Sequence, residues 1–116
     1  MSGVELENQV AEAFQKQGYI VFKRTNHCDV LAVKPDLRLA YLVECKDYVL
    51  SKKQQRLAVR ELNRNYTHAL ELLLRNRLFV EKILKVLVAQ GFSYQARNIL
   101  QYTPAAFVEH VLSTNK

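Results

Sequence analysis

Glu44 and Lys46 close an apolar run, Leu39-Ala40-Tyr41-Leu42-Val43, and Asp29 stands directly before a second one, Val30-Leu31-Ala32-Val33. Read as strands, whose side chains alternate between faces, the run ending at Val43 sends Glu44 and Lys46 to one side and Val43 and Cys45 to the other. A carboxylate and an ammonium then share a patch. Burying such groups is costly unless they are paired or bind a metal, so their place at the ends of apolar strands calls for a chemical reason. Phosphodiester hydrolysis supplies one: it needs a water activated near neutral pH and positive charge against the phosphate, and a bound Mg²⁺ provides both. Hard divalent cations take oxygen ligands, which makes Asp29 and Glu44 the first two candidates and the main-chain carbonyl of Cys45 another. Lys46 is suited to stabilising the attacking hydroxide or the charge developing on phosphorus, or to acting as a base if its pKa is lowered.

The elements that must position these groups can be read in order. Ser2-Gly3-Val4-Glu5 matches a capping box, and Leu6, Val10, Ala13 and Phe14 recur at helical spacing, predicting a helix over 3–17 that Gly18 stops. Tyr19-Ile20-Val21-Phe22-Lys23 reads as a first strand, residues 28–34 as a second, and Pro35-Asp36-Leu37-Arg38 as a turn into the third, giving an antiparallel meander. Ser51-Lys52-Lys53-Gln54 is a second capping box, opening a helical pattern that runs to Arg77, with Asn63 and Asn65 as weak points for a kink. Residues 82–89 read as a buried strand after a helical crossover. Ser93 is placed to cap a helix to about Tyr102, and Thr103-Pro104 to start a last one ending near Leu112.

At 116 residues the chain is expected to form a single domain over 1–116, and its apolar runs fall well short of the roughly 20 residues of a membrane span. No stretch reads as a signal peptide, so the expected location is the cytosol, where Cys28 and Cys45 stay reduced. The formal net charge of +6 favours a polyanionic partner. Lys52, Arg56, Arg60 and Arg64 recur every fourth residue and, with Lys53, make a cationic stripe suited to a phosphate backbone.

The order helix, meander, helix, strand, helix, carrying Asp29 and the pair Glu44/Lys46, resembles the PD-(D/E)XK nuclease superfamily. Gly18-Tyr19-Ile20-Val21, Cys28-Asp29-Val30-Leu31-Ala32 and Tyr41-Leu42-Val43-Glu44-Cys45-Lys46 look most like archaeal Holliday junction resolvases and Mrr-type endonucleases. The resemblance spans about residues 3–89, with Cys28 where the superfamily name has proline. It implies an α/β, restriction-endonuclease-like core: a mixed four-stranded sheet flanked by helices. It also implies a Mg²⁺-dependent DNA endonuclease, with Mn²⁺ able to substitute, in which Asp29 and Glu44 are metal ligands and Lys46 is the catalytic cation. Families of this kind add a glutamate from the first helix. Of Glu5, Glu7 and Glu12, position relative to Gly18-Tyr19 favours Glu7, which also flanks the Leu6/Val10/Phe14 face. Some relatives place a glutamine at the start of the second helix. Gln54 has a capping role, which favours Gln55 as an active-site or DNA contact. His27 and Tyr48 are further possible contacts, with a surface histidine and a sheet-edge tyrosine as the structural alternatives.

Such a small domain has little surface for reading a long site, so the expected substrate is branched DNA cut by a homodimer, with the leucine-rich 69–79 segment either a seam or added core. Two other readings remain open. One is an inactive nucleic-acid-binding or assembly subunit on the same scaffold; the other is an α/β interaction protein in which Glu44 and Lys46 form an ordinary ion pair.

Overall fold

A computed structural model describes residues 3–25 and 28–113, apart from the side chains of 24, 25, 28 and 29. The elements are α1 (Gly3–Lys16), β1 (Ile20–Thr25), β2 (Cys28–Lys34), a 3-10 turn (Pro35–Leu37), β3 (Leu39–Cys45), α2 (Lys52–Arg75), β4 (Lys82–Val88), β5 (Leu100–Tyr102) and α3 (Pro104–Ser113). The strands form one five-stranded sheet in the order β1-β2-β3-β4-β5. β1, β2 and β3 are the expected antiparallel meander, and β4 and β5 then run parallel to β3. This is the expected mixed sheet with one strand more than the sequence suggests. Among the described residues no helix is long and apolar enough to cross a membrane.

Central β3 is buried along nearly its whole length, and its alternation feeds two cores. Tyr41, Val43 and Cys45 join Leu6, Val10 and Phe14 of α1 and Phe107 and Val111 of α3 on one face. Ala40 and Leu42 join Ala58, Leu62, Ala69 and Leu73 of α2 on the other. The first core centres on tilted and edge-on rings, with Phe14 4.9 Å from Tyr19, 5.3 Å from Tyr41 and 5.7 Å from Phe107. Burial there, with smaller contributions from Tyr19 and Tyr102, pushes the Tyr41 hydroxyl above its ordinary range.

Gly18 ends α1 at φ +83°, where the Tyr19 N–H donates back to the Phe14 carbonyl. The box at the start of α2 is complete: Gln54 N–H donates to Ser51 Oγ at 3.1 Å, and Ser51 N–H donates to Gln54 Oε1 at 2.9 Å. The counterpart at the first helix involves Ser2, which lies outside the described residues. α2 is unbroken through Asn63 and Asn65. Asn63 accepts from Lys85 Nζ at 2.8 Å and Asn65 is buried, so packing outweighs a propensity deficit of about 0.7 kcal/mol at most for each.

The helix expected over 93–102 is absent: the segment is irregular until Leu100, where β5 begins. The expectation rests on Ser93 as a cap; Ala96 and Ile99 are instead buried against the α2-side core from an irregular backbone. Asn98 takes the left-handed conformation at φ 61°, which a helix does not accommodate. Ser93, instead of capping, donates its hydroxyl to the Leu50 carbonyl at 2.7 Å. Gln55 and Gln101 satisfy the backbone groups of this segment that a helix would have paired.

Candidate active site

The site lies at the carboxyl end of β3, between β2 and β4. Val43 faces Val30 on β2 and Val86 on β4, and on the β4 side the ladder continues through Glu44 opposite Leu87 and Cys45 opposite Val88. Lys46 N–H still donates to the Val88 carbonyl at 2.9 Å, so the strand geometry persists one residue beyond β3. Alternation sends Cys45 into the α1/α3 core and Glu44 and Lys46 toward α2, as the sequence predicts. Glu44 is only 4% exposed. Lys46 Nζ sits 3.6 Å from Glu44 Oε2 and 3.8 Å from Glu61 Oε2, and Glu61 Oε1 is in turn 3.9 Å from Arg64. Each of these distances exceeds a charge-assisted hydrogen bond of about 2.7–2.9 Å, so the two carboxylates hold the ammonium by field more than by direct bonding.

Asp29 lies in β2 immediately before Val30, and Val30 pairs with Val43, so the backbone brings Asp29 level with Glu44 on the neighbouring strand. Its side chain lies outside the described residues, as does all of His27. Glu7 is on α1, 2% exposed, in the layer that also holds Leu6 and Val10. Glu5 and Glu12 are exposed. The donor types suit a hard divalent cation: the buried Glu44 carboxylate carries a desolvation cost that a cation would offset, and the main-chain carbonyl of Cys45 adds an oxygen while its thiol faces the α1-side core, whereas Glu7 belongs to α1, which packs on the face of the sheet opposite to α2. Among the described residues no three His, Cys, Asp or Glu side chains form a metal-sized group, and the expected trio draws its third member from Asp29.

Gln55 occupies a different kind of place from the one the sequence suggests. It is fully buried, with Nε2 donating to the Tyr94 carbonyl at 2.6 Å and Oε1 accepting from Ser93 N–H at 2.7 Å. Its amide therefore latches the first turn of α2 to the 93–101 segment and presents no polar atom to a ligand in this conformation. Gln55→Ala removes the buried amide that pairs the Ser93 N–H and the Tyr94 carbonyl and is expected to cost about 1–3 kcal/mol, read by urea denaturation, with faster proteolysis within residues 91–99.

Lys52, Lys53, Arg56, Arg60 and Arg64 are all exposed on α2, whose first turn lies just past the Lys46 end of β3. The intervening loop is held firmly: Gln90 N–H donates to the Tyr48 carbonyl at 3.1 Å and Leu50 N–H to the Gly91 carbonyl at 3.0 Å. A Cβ on Gly91 would lie 3.1 Å from a Val49 methyl, so this approach favours glycine. Tyr48, two residues beyond Lys46, is 46% exposed.

Glu61 is the member that sequence reasoning misses. As the first acid after the cationic run it reads as the end of a stripe. Only the packing of α2 across the sheet brings its carboxylate to Lys46.

The restriction endonuclease family model Mrr_cat matches residues 1–101, which takes in α1, the meander with its Asp29 and Glu44/Lys46 positions, α2 and β4. No curated protein matches the sequence. With the mixed sheet and the Glu44 carboxylate at the end of its central strand in place, that match settles the family: the chain belongs to the Mrr-type restriction endonucleases, within the PD-(D/E)XK nuclease superfamily.

Proposed function

We propose that the protein is a divalent-cation-dependent DNA endonuclease that cuts branched DNA as a homodimer. The observation that carries this reading is the buried Glu44 carboxylate with Lys46 Nζ 3.6 Å away, at the end of the central strand and next to a cationic helix. Asp29, Glu44, Glu7 and the Cys45 carbonyl are the proposed ligands. A bound Mg²⁺, or Mn²⁺ in its place, supplies charge against the scissile phosphate and activates the hydrolytic water.

The chain's own groups do the rest. Lys46 places an ammonium where charge builds up on the phosphate, in a partly buried setting where it acts more strongly than in water. Glu61 keeps that ammonium near the strand end when Glu44 is engaged elsewhere. The α2 stripe binds phosphates without reading sequence, which suits selection by DNA shape. Branched DNA presents two equivalent strands, and a two-fold dimer presents two equivalent sites.

The test is cleavage of labelled four-way junction, flap, duplex and single-stranded DNA with Mg²⁺, Mn²⁺ or EDTA, with the mass in solution measured alongside. Cutting in either metal that stops in EDTA and favours the junction supports the proposal. A chain that binds every substrate and cuts none is the inactive-subunit alternative. Arg56→Ala and Arg60→Ala are each expected to lower the slope of log affinity against log salt by about 0.9 on duplex DNA, measured by fluorescence anisotropy.

A further inference from the structure

At the end of the sheet away from Lys46, the start of β3 and the chain leaving α2 enclose a groove of 560 Å³ whose lining includes Arg38, Arg77, Leu78, Phe79, Val80 and Glu81. Arg38 and Lys46 stand at opposite ends of β3, about 26 Å apart at the rise of a strand. The groove is therefore separate from the Glu44–Lys46 site.

Three features of its lining point to a ligand. Phe79 is 71% exposed, the most exposed large apolar side chain among the described residues, while Leu78 and Val80 beside it pack into the α2-side core and form an apolar floor. Arg38 and Arg77 both adopt left-handed backbone, at φ 51° and 55°. Glycine takes that conformation freely, whereas a Cβ is penalised there. Both turns flanking this groove thus present a guanidinium where glycine would be less strained. Finally, the Arg38 guanidinium is fixed to Glu81 Oε1 at 3.0 Å, whereas among the described residues no carboxylate lies within ion-pair distance of Arg77.

We infer that this groove binds an unpaired nucleotide of the DNA, with the base stacked on Phe79 and the adjoining phosphate held by Arg77. An open aromatic face beside guanidinium groups is the chemistry by which proteins hold single strands, since every base offers a π-face. The volume falls within the range of about 300–1,000 Å³ typical of small-ligand sites. An acidic peptide would use the cations but not the exposed ring, and a second protein copy would be met by an apolar patch depleted of charge. The inference rests on the DNA reading above for its ligand class. It adds a second contact that would hold an opened or displaced strand while the other end of the sheet engages the duplex.

The test uses the native chain in EDTA, with fluorescence anisotropy on labelled oligo-dT and on a blunt duplex. Phe79→Ala and Arg77→Gly are expected to weaken oligo-dT binding at least about tenfold and to leave duplex binding within about twofold. Arg77→Gly should also melt at the same or a higher temperature, because glycine relieves the left-handed turn; a merely structural arginine would not combine lost binding with kept stability. Unchanged oligo-dT affinity in Phe79→Ala overturns the inference, as does equal weakening of single strand and duplex. A native dimer that Phe79→Ala converts to a monomer also overturns it, since a second copy then covers the face. If no DNA is cut while oligo-dT binding still depends on Phe79, the nuclease reading fails alone. If cutting is intact and oligo-dT binding ignores Phe79, the groove fails alone.

Discussion

Lys46→Ala is expected to slow metal-dependent cleavage about 10²–10³-fold, the usual loss when one preorganised charge-stabilising group is removed. Glu44→Gln is expected to bring cleavage to background, because it removes the charge of a proposed ligand oxygen while keeping the shape of the side chain. Both variants should bind duplex DNA nearly as well as the native chain, since the proposed phosphate contacts are the exposed cations of α2. Glu44→Gln should stay folded: breaking a fully buried ion pair costs about 3–5 kcal/mol because a charge is left stranded, but Lys46 keeps water, with its side chain 27% exposed, and keeps Glu61 at 3.8 Å. Lys46→Ala leaves the Glu44 carboxylate, 4% exposed, without that ammonium and is expected to lose part of its stability. Glu44→Gln also removes a desolvated carboxylate, which offsets part of what it loses. Single-turnover cleavage with Mg²⁺, together with a urea titration, checks both halves. Full cutting by Glu44→Gln would remove this end of β3 from the mechanism.

Phe107→Ala should produce the largest loss of stability of the substitutions considered, about 3–5 kcal/mol for a buried Phe truncated to Ala. A domain of this kind has about 5–15 kcal/mol in all, so the variant is expected to be partly unfolded at moderate temperature. Phe107 is fully buried, 5.7 Å from Phe14, 5.3 Å from Tyr102 and 6.3 Å from Tyr41, and so ties α3 to α1, β5 and central β3. It lies past residue 101, where the family match ends, yet it occupies the middle of the α1-side core. Phe107→Leu should cost clearly less, because most of the volume is kept. Urea denaturation followed by circular dichroism gives both values. Equal stability of Phe107→Ala and the native chain would mean that α3 does not close this core in solution.

Local pattern was enough wherever the governing interaction spans a few residues. The Ser51/Gln54 box, the stop at Gly18, the meander and the common facing of Glu44 and Lys46 follow from capping chemistry, glycine's freedom and the two-residue strand period. The acidic and cationic residues of the proposed site were legible for the same reason: they sit at the ends of apolar runs or at four-residue spacing.

Segment 93–102 was not legible, because Ser93 has the chemistry of a helix cap while the side chains that hold the segment come from elsewhere, Gln55 above all. The same limit hid Glu61 behind the cationic run and sent Gln55 to a latch instead of a site. The sequence by itself determined which groups could do phosphodiester chemistry and which strand ends carry them. Only the tertiary structure decided that α2 brings Glu61 to Lys46, that β5 extends the sheet, and that Arg38 and Arg77 flank one groove. Those outcomes depend on how whole faces pack across a sheet, an interaction between residues distant in the chain that no local periodicity encodes.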